Sequence, residues 1–164
     1  MIAREDSGFE LHLRQRLAGA RRVAVVGIGD PLLPSDRLGM LAAEAVGALH
    51  LPGIRVFLAG TVPESMTGPI RRFRPDHVLF LDAAEMGASP GTVAVVEPEG
   101  IHATLFSTHV LPLSVLMEFL EKDAHTRVTL IGIEPDTHTR GDDPTPAEQE
   151  GIRRLLAVVK RVLT

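Results

Sequence analysis

The sequence predicts an α/β fold: a single-domain three-layer sandwich, with a mostly parallel, twisted five-stranded sheet and helices on both faces. Three observations predict it. Short β-branched apolar runs alternate with segments of helical period, the pattern of right-handed βαβ crossovers. The runs are apolar throughout rather than alternating, as in strands covered on both faces. The 164 residues are 45% hydrophobic and 23% charged, which suits one globular domain. No linker, repeat or low-complexity tract divides residues 1–164.

Val23–Ile28 (VAVVGI) is the first predicted strand, followed by Ile54–Ala59, His77–Leu81 and Val128–Ile133. Val93–Val96 is shorter. It follows the turn signal Ser89-Pro90-Gly91 close behind the third strand, which places it at an edge, with antiparallel pairing open. Leu38, Leu41, Ala42, Ala45, Val46 and Leu49 form one helical stripe. Leu113, Leu116, Phe119 and Leu120 form another within Leu111–Leu120. The last helix starts at an N-cap Thr145, with Pro146 at the first helical position and Glu148 completing a capping box. Ile152, Leu155, Leu156, Val159, Val162 and Leu163 are its expected buried face. A short amphipathic helix near Phe9–Leu17 precedes the first strand, and Asp136–Asp143 is the expected loose segment.

Composition removes several function classes. The net charge of −4 argues against an electrostatic nucleic-acid binder, which needs a basic face. With no cysteine there is no disulfide, thiolate zinc site, iron–sulfur ligand set or cysteine nucleophile. Any metal would be held by His, Asp and Glu. The N-terminal stretch mixes charges throughout and no run of 18 apolar residues exists, so neither a signal peptide nor membrane insertion is expected. The expected location is cytoplasmic.

Open α/β sheets bind ligands beyond the carboxyl ends of their strands. The loop Gly27-Ile28-Gly29-Asp30-Pro31-Leu32 lacks the third glycine of a dinucleotide fingerprint. Asp36, at the entry to the next helix, reads either as a cap for free helix N–H groups or as a carboxylate held at the sheet rim. Asp82 directly follows a buried strand, where a carboxylate costs free energy unless hydrogen-bonded or metal-bound. Glu85 reads as one more solvated acid. His109 precedes a helix with an early Pro112 and, alone, reads as a loop or cap residue. The other six histidines are less suggestive. Two carboxylates and one imidazole, if brought together, would suit a transition metal with open positions. No G-x-S-x-G elbow or H-E-x-x-H motif is present.

VVGIGDPLLPSDRLG, Thr61–Glu64 (TVPE), FLDAAEMGASPG, STHVLPL and IGIEPD, in this order and spacing, resemble the hydrogenase maturation proteases. The likeness runs from about Arg22 to the C-terminus and points to the branch serving hydrogenase-3-type enzymes. It implies a phosphorylase/hydrolase-like sandwich and an aspartyl endopeptidase. The implied partner is a nickel–iron hydrogenase large-subunit precursor, whose C-terminal extension is removed after nickel insertion. It also implies metal recognition by Asp36, Asp82 and His109, with the nickel carried by the substrate and cadmium or zinc as stand-ins in crystals. Asp36 or Asp82 would be the general base for attack by water. Gly29, Asp30, Arg37, Glu64 and Gly87 would bind substrate along a groove near Thr61–Glu64 and Gly87–Gly91. Ligation needs neutral His109, so binding should weaken below about pH 6. The family precedent is a monomer.

The first loop departs from the family pattern G-x-G-N-x-L-x-x-D-[DE]-G-x-G. Asp30 replaces Asn, Ser35 replaces the first acid and Arg37 replaces a glycine. An Asp30–Arg37 charge pair across the loop is expected, with strain at Arg37 if the glycine needs positive φ. Two other readings stay open: a non-catalytic metal-sensing or chaperone module that keeps the trio, and a general metal-dependent hydrolase of small amides.

Overall fold

The four longer apolar runs pair as parallel strands in the computed structural model, which describes residues 2–97 and 113–164. β1 (Val23–Ile28) lies between β2 (Ile54–Gly60) and β3 (His77–Ala83), and β5 (Arg127–Ile133) lies beyond β3. β4 (Val93–Val96) runs antiparallel along the outer edge of β5, giving the order β2-β1-β3-β5-β4. The edge position read from Ser89-Pro90-Gly91 is therefore correct.

Helices cover both faces: α1 (Ile2–Arg16), α2 (Leu38–Gly47), α3 (Thr67–Phe73), α4 (Leu113–Asp123) and α5 (Pro146–Leu163), with a 3₁₀ turn at Pro63–Met66. Alternate strand residues serve alternate layers. Val23, Val25, Leu79, Leu81 and Ile131 pack with Leu13 of α1, Leu38 and Val46 of α2, and Leu155 and Val158 of α5. Ala24, Val26, Val78, Phe80 and Leu130 pack with Ile70 and Phe73 of α3 and Leu116 and Leu120 of α4. Burial on both faces is the reason these strands carry almost no polar residues.

The capping box at Thr145 forms as read. Thr145 Oγ1 accepts the Glu148 N–H at 3.3 Å, and Glu148 Oε1 accepts the Thr145 N–H at 2.8 Å. Val158 joins Leu155 and Val159 in the fully buried face of α5, while Ile152, Leu156, Val162 and Leu163 are half-buried at its margin.

Other expectations are corrected. In α4 the buried stripe is Leu113, Leu116, Met117 and Leu120, and Phe119 is 43% exposed. Phe119 falls one position outside the i, i+3, i+4, i+7 set that faces the sheet. α3 and the 3₁₀ turn fill a connection that showed no helical stripe, because Pro63, Gly68 and Pro69 interrupt it. β3 continues two residues past Leu81, so Asp82 belongs to the strand rather than to a loop. α1 is longer than Phe9–Leu17. No helix among the described residues is long and apolar enough to cross a membrane.

Candidate active site

The crossover from β1 leads through α2 to β2 on one flank, while β3 lies on the other flank of β1. Such a reversal opens a crevice beyond the carboxyl ends of the two strands. Gly27 pairs with Leu81, so the chain leaves β1 beside Asp82.

Two glycines bring the next segment over this crevice. A Cβ on Gly39 would stand 2.2 Å from the Leu81 carbonyl oxygen and 2.5 Å from that of Ile28. Only a residue without a side chain lets α2 sit so close to both strand ends. Gly29 has φ +134, and a Cβ there would meet the Asp36 carbonyl oxygen at 1.8 Å. The loop therefore doubles back on itself. Gly29 N–H donates to Gly60 O at 2.9 Å, tying the loop after β1 to the end of β2.

Asp36 is 3% exposed. Its Oδ2 accepts the Asp30 N–H at 2.9 Å. It does not cap α2: Arg37 holds the N-cap position, and no side chain caps that helix start. Of the two readings of Asp36, the rim carboxylate is the one that stands. Its Oδ1 is buried with no hydrogen-bond partner among the described residues. A dehydrated carboxylate oxygen without a donor is costly, so this atom is the point where a cation or donor would be gained. Asp82 is 1% exposed, held by β3 at the same strand ends.

Arg37 has φ −86, so the loop accepts a side chain where the family has glycine, without strain. The expected Asp30–Arg37 pair does not form. Asp30 Oδ1 instead accepts the Leu32 N–H at 2.9 Å, closing its own turn, a local bond that short acids favour. Arg37 Nε is buried with no hydrogen-bond partner among the described residues. Glu64 lies in the 3₁₀ turn after β2, half-buried, with Oε2 likewise buried and without a hydrogen-bond partner among the described residues. Gly87 is exposed in the loop after β3.

His109 lies outside the described residues, as does the rest of STHVLP. Among the described residues no group of three His, Asp or Glu is placed to hold a metal.

Glu134, which directly follows β5, is a buried acid that the sequence analysis does not single out. It is 7% exposed and accepts the N–H groups of Met86 and Ala88. Its position at a strand end is the same signal that marks Asp82. At the opposite, amino end of the sheet, His77 is 1% exposed, with Nε2 2.8 Å from Thr129 Oγ1. Burial pushes its pKa down from 6.5 to about 4, with Arg127 and Arg16 adding repulsion.

Residues 41–161 match the family model described as hydrogenase maturation protease, HycI. The hydrogenase 3 maturation protease of Escherichia coli (strain K12) is 33% identical over 110 residues, 66% of this chain and 70% of that protein. The crystal structure of a NiFe hydrogenase maturation protease, HycI, from Thermococcus kodakarensis KOD1 superposes with a TM-score of 0.79 at 29% identity. That likeness covers 93% of this chain and 98% of that one. The solution structure of an endopeptidase HycI from Escherichia coli gives a TM-score of 0.71 at 27% identity, covering 87% and 89%. These matches mean that the chain is a peptidase and belongs to the hydrogenase maturation protease family.

Proposed function

We propose that this peptidase removes the C-terminal extension of a nickel–iron hydrogenase large-subunit precursor once nickel has been inserted. The observation that carries the reading is the Asp36 carboxylate, buried at the β1–β3 crevice with Oδ1 unpartnered among the described residues. The names of the relatives support the hydrogenase connection.

Asp36, Asp82 and the neutral imidazole of His109 make a donor set that suits a borderline divalent ion with positions left open. The nickel belongs to the substrate, and when bound it supplies a Lewis acid beside the scissile bond. The chain's own groups do the rest. The Asp30 N–H fixes Oδ2 of Asp36, leaving Oδ1 without a hydrogen-bond partner among the described residues. One of the two aspartates takes a proton from water as the water oxygen bonds to the scissile carbonyl carbon. That proton is returned to the amide nitrogen as the C–N bond breaks. Arg37, Glu64 and Gly87 border the approach, and Gly29 and Asp30 shape its first loop.

The test is incubation with nickel-loaded and nickel-free precursor, followed by mass spectrometry. Shortening of the loaded form alone is expected. Shortening of both would remove metal recognition from the reading, and binding without shortening would indicate a chaperone.

A further inference from the structure

Glu134 takes no part in the pair of acids, yet its carboxylate is buried at the end of β5. Oε2 accepts the Met86 N–H at 2.5 Å, and Oε1 accepts the Ala88 N–H at 3.2 Å. Its backbone is also engaged: its N–H donates to Thr92 O at 2.9 Å, and its carbonyl accepts the Gly91 N–H at 2.8 Å. One residue thus holds the segment from Met86 to Thr92 by both its side chain and its backbone.

That segment follows Asp82 almost at once. Gly87, Ala88, Ser89 and Pro90 are exposed, so they have no core packing to set their shape. A carboxylate is well suited to the task. Both oxygens accept, and charge-assisted bonds are stronger than neutral ones.

We propose that Glu134 is a positioning residue: it preforms the rim beside Asp82 on which the precursor's peptide is laid. The proposal rests on the peptidase reading above. A preformed rim lowers the ordering cost of binding. Loosening it removes binding shared by ground and transition states, which raises KM and leaves kcat.

Glu134→Gln tests this in the full chain, because it keeps one acceptor and sets an NH2 group against a backbone N–H. Glu134→Asp keeps both acceptors but shortens their reach. In both variants the Met86 and Ala88 amides should exchange with solvent at least about tenfold faster, the equivalent of one such bond, while β1 and β3 stay protected. KM for nickel-loaded precursor should rise about tenfold, with kcat within about twofold. Unchanged exchange, unchanged KM, or a loss of kcat at constant KM would each overturn the proposal. Should Glu134→Gln fail to fold, Glu134→Asp carries the test by itself, with the same rise in exchange and in KM expected and unchanged values overturning the proposal. A wild-type chain that cuts no precursor overturns the peptidase reading. Calorimetric affinity for the precursor then decides the role of Glu134: weaker binding by Glu134→Gln supports it, equal binding or none overturns it.

Discussion

Gly39 of α2 is in backbone contact with Leu81 of β3: a Cβ at Gly39 would lie 2.2 Å from the Leu81 carbonyl oxygen. The helix that follows Asp36 is thereby seated on the strand that carries Asp82. Gly39→Ala must push α2 off both strand ends. A loss of about 1–3 kcal/mol is expected from such overpacking. Processing should fall by more than the folded fraction does, because the two acids separate. Urea denaturation and precursor cleavage, measured side by side, check this; wild-type values for both would contradict the contact.

The two aspartates call for different precautions. Asp82 is a buried strand residue, so the near-isosteric Asp82→Asn is the informative change rather than truncation. Asp82→Asn and Asp36→Asn should each lower processing by about 10²-fold or more, the usual worth of a positioned general base. Circular dichroism should stay unchanged. Processing at the wild-type rate by either variant would remove that residue from the site.

His77 gives the fold a pH dependence. The unfolded chain protonates this imidazole near pH 6.5, the folded chain only near pH 4. Between those values the unfolded state binds more protons, so stability falls as pH drops through that window. The depression is worth roughly 3 kcal/mol, fully lost below about pH 4. Denaturation midpoints at pH 7, 5.5 and 4 should decline steeply in the wild type and more gently in His77→Gln. Parallel declines would show that other groups dominate.

Leu155 and Leu156 are neighbours on α5 with different surroundings. Leu155 is fully buried, and Leu156 lies at the margin. Leu155→Ala should cost about 2–5 kcal/mol, and Leu156→Ala about 1 kcal/mol. Equal losses in chemical denaturation would mean that α5 is rotated about its axis.

Where one physical signal dominates a segment, the sequence was legible. The five β-branched runs became five strands, and Thr145, Pro146 and Glu148 became a capping box, because each signal is local. α3 escaped notice because seven residues holding a glycine and a proline show only Ile70 and Phe73 as buried positions. Arg37 misled because charge complementarity with Asp30 ignored the nearer Leu32 N–H. Asp36 and Asp82 stand out from sequence position alone, but the seating of Gly39 against Leu81, which sets the helix after Asp36 on the strand that carries Asp82, has no signature in the sequence. The strand-end rule marks Glu134 as readily as Asp82, but its partners, the Ala88 and Met86 N–H groups, lie 46 and 48 residues earlier and leave no trace in the sequence.

The placement of Asp82 inside β3 has a consequence for safety. An acid borne on a loop could keep its setting while the rest of its protein frayed. Here the acid is a rung of the sheet, paired with Gly132 of β5, so any opening wide enough to unzip that rung also displaces the acid to which the proposed cleavage is assigned. On the proposed assignment, a damaged or half-made copy with β3 unzipped would not cut.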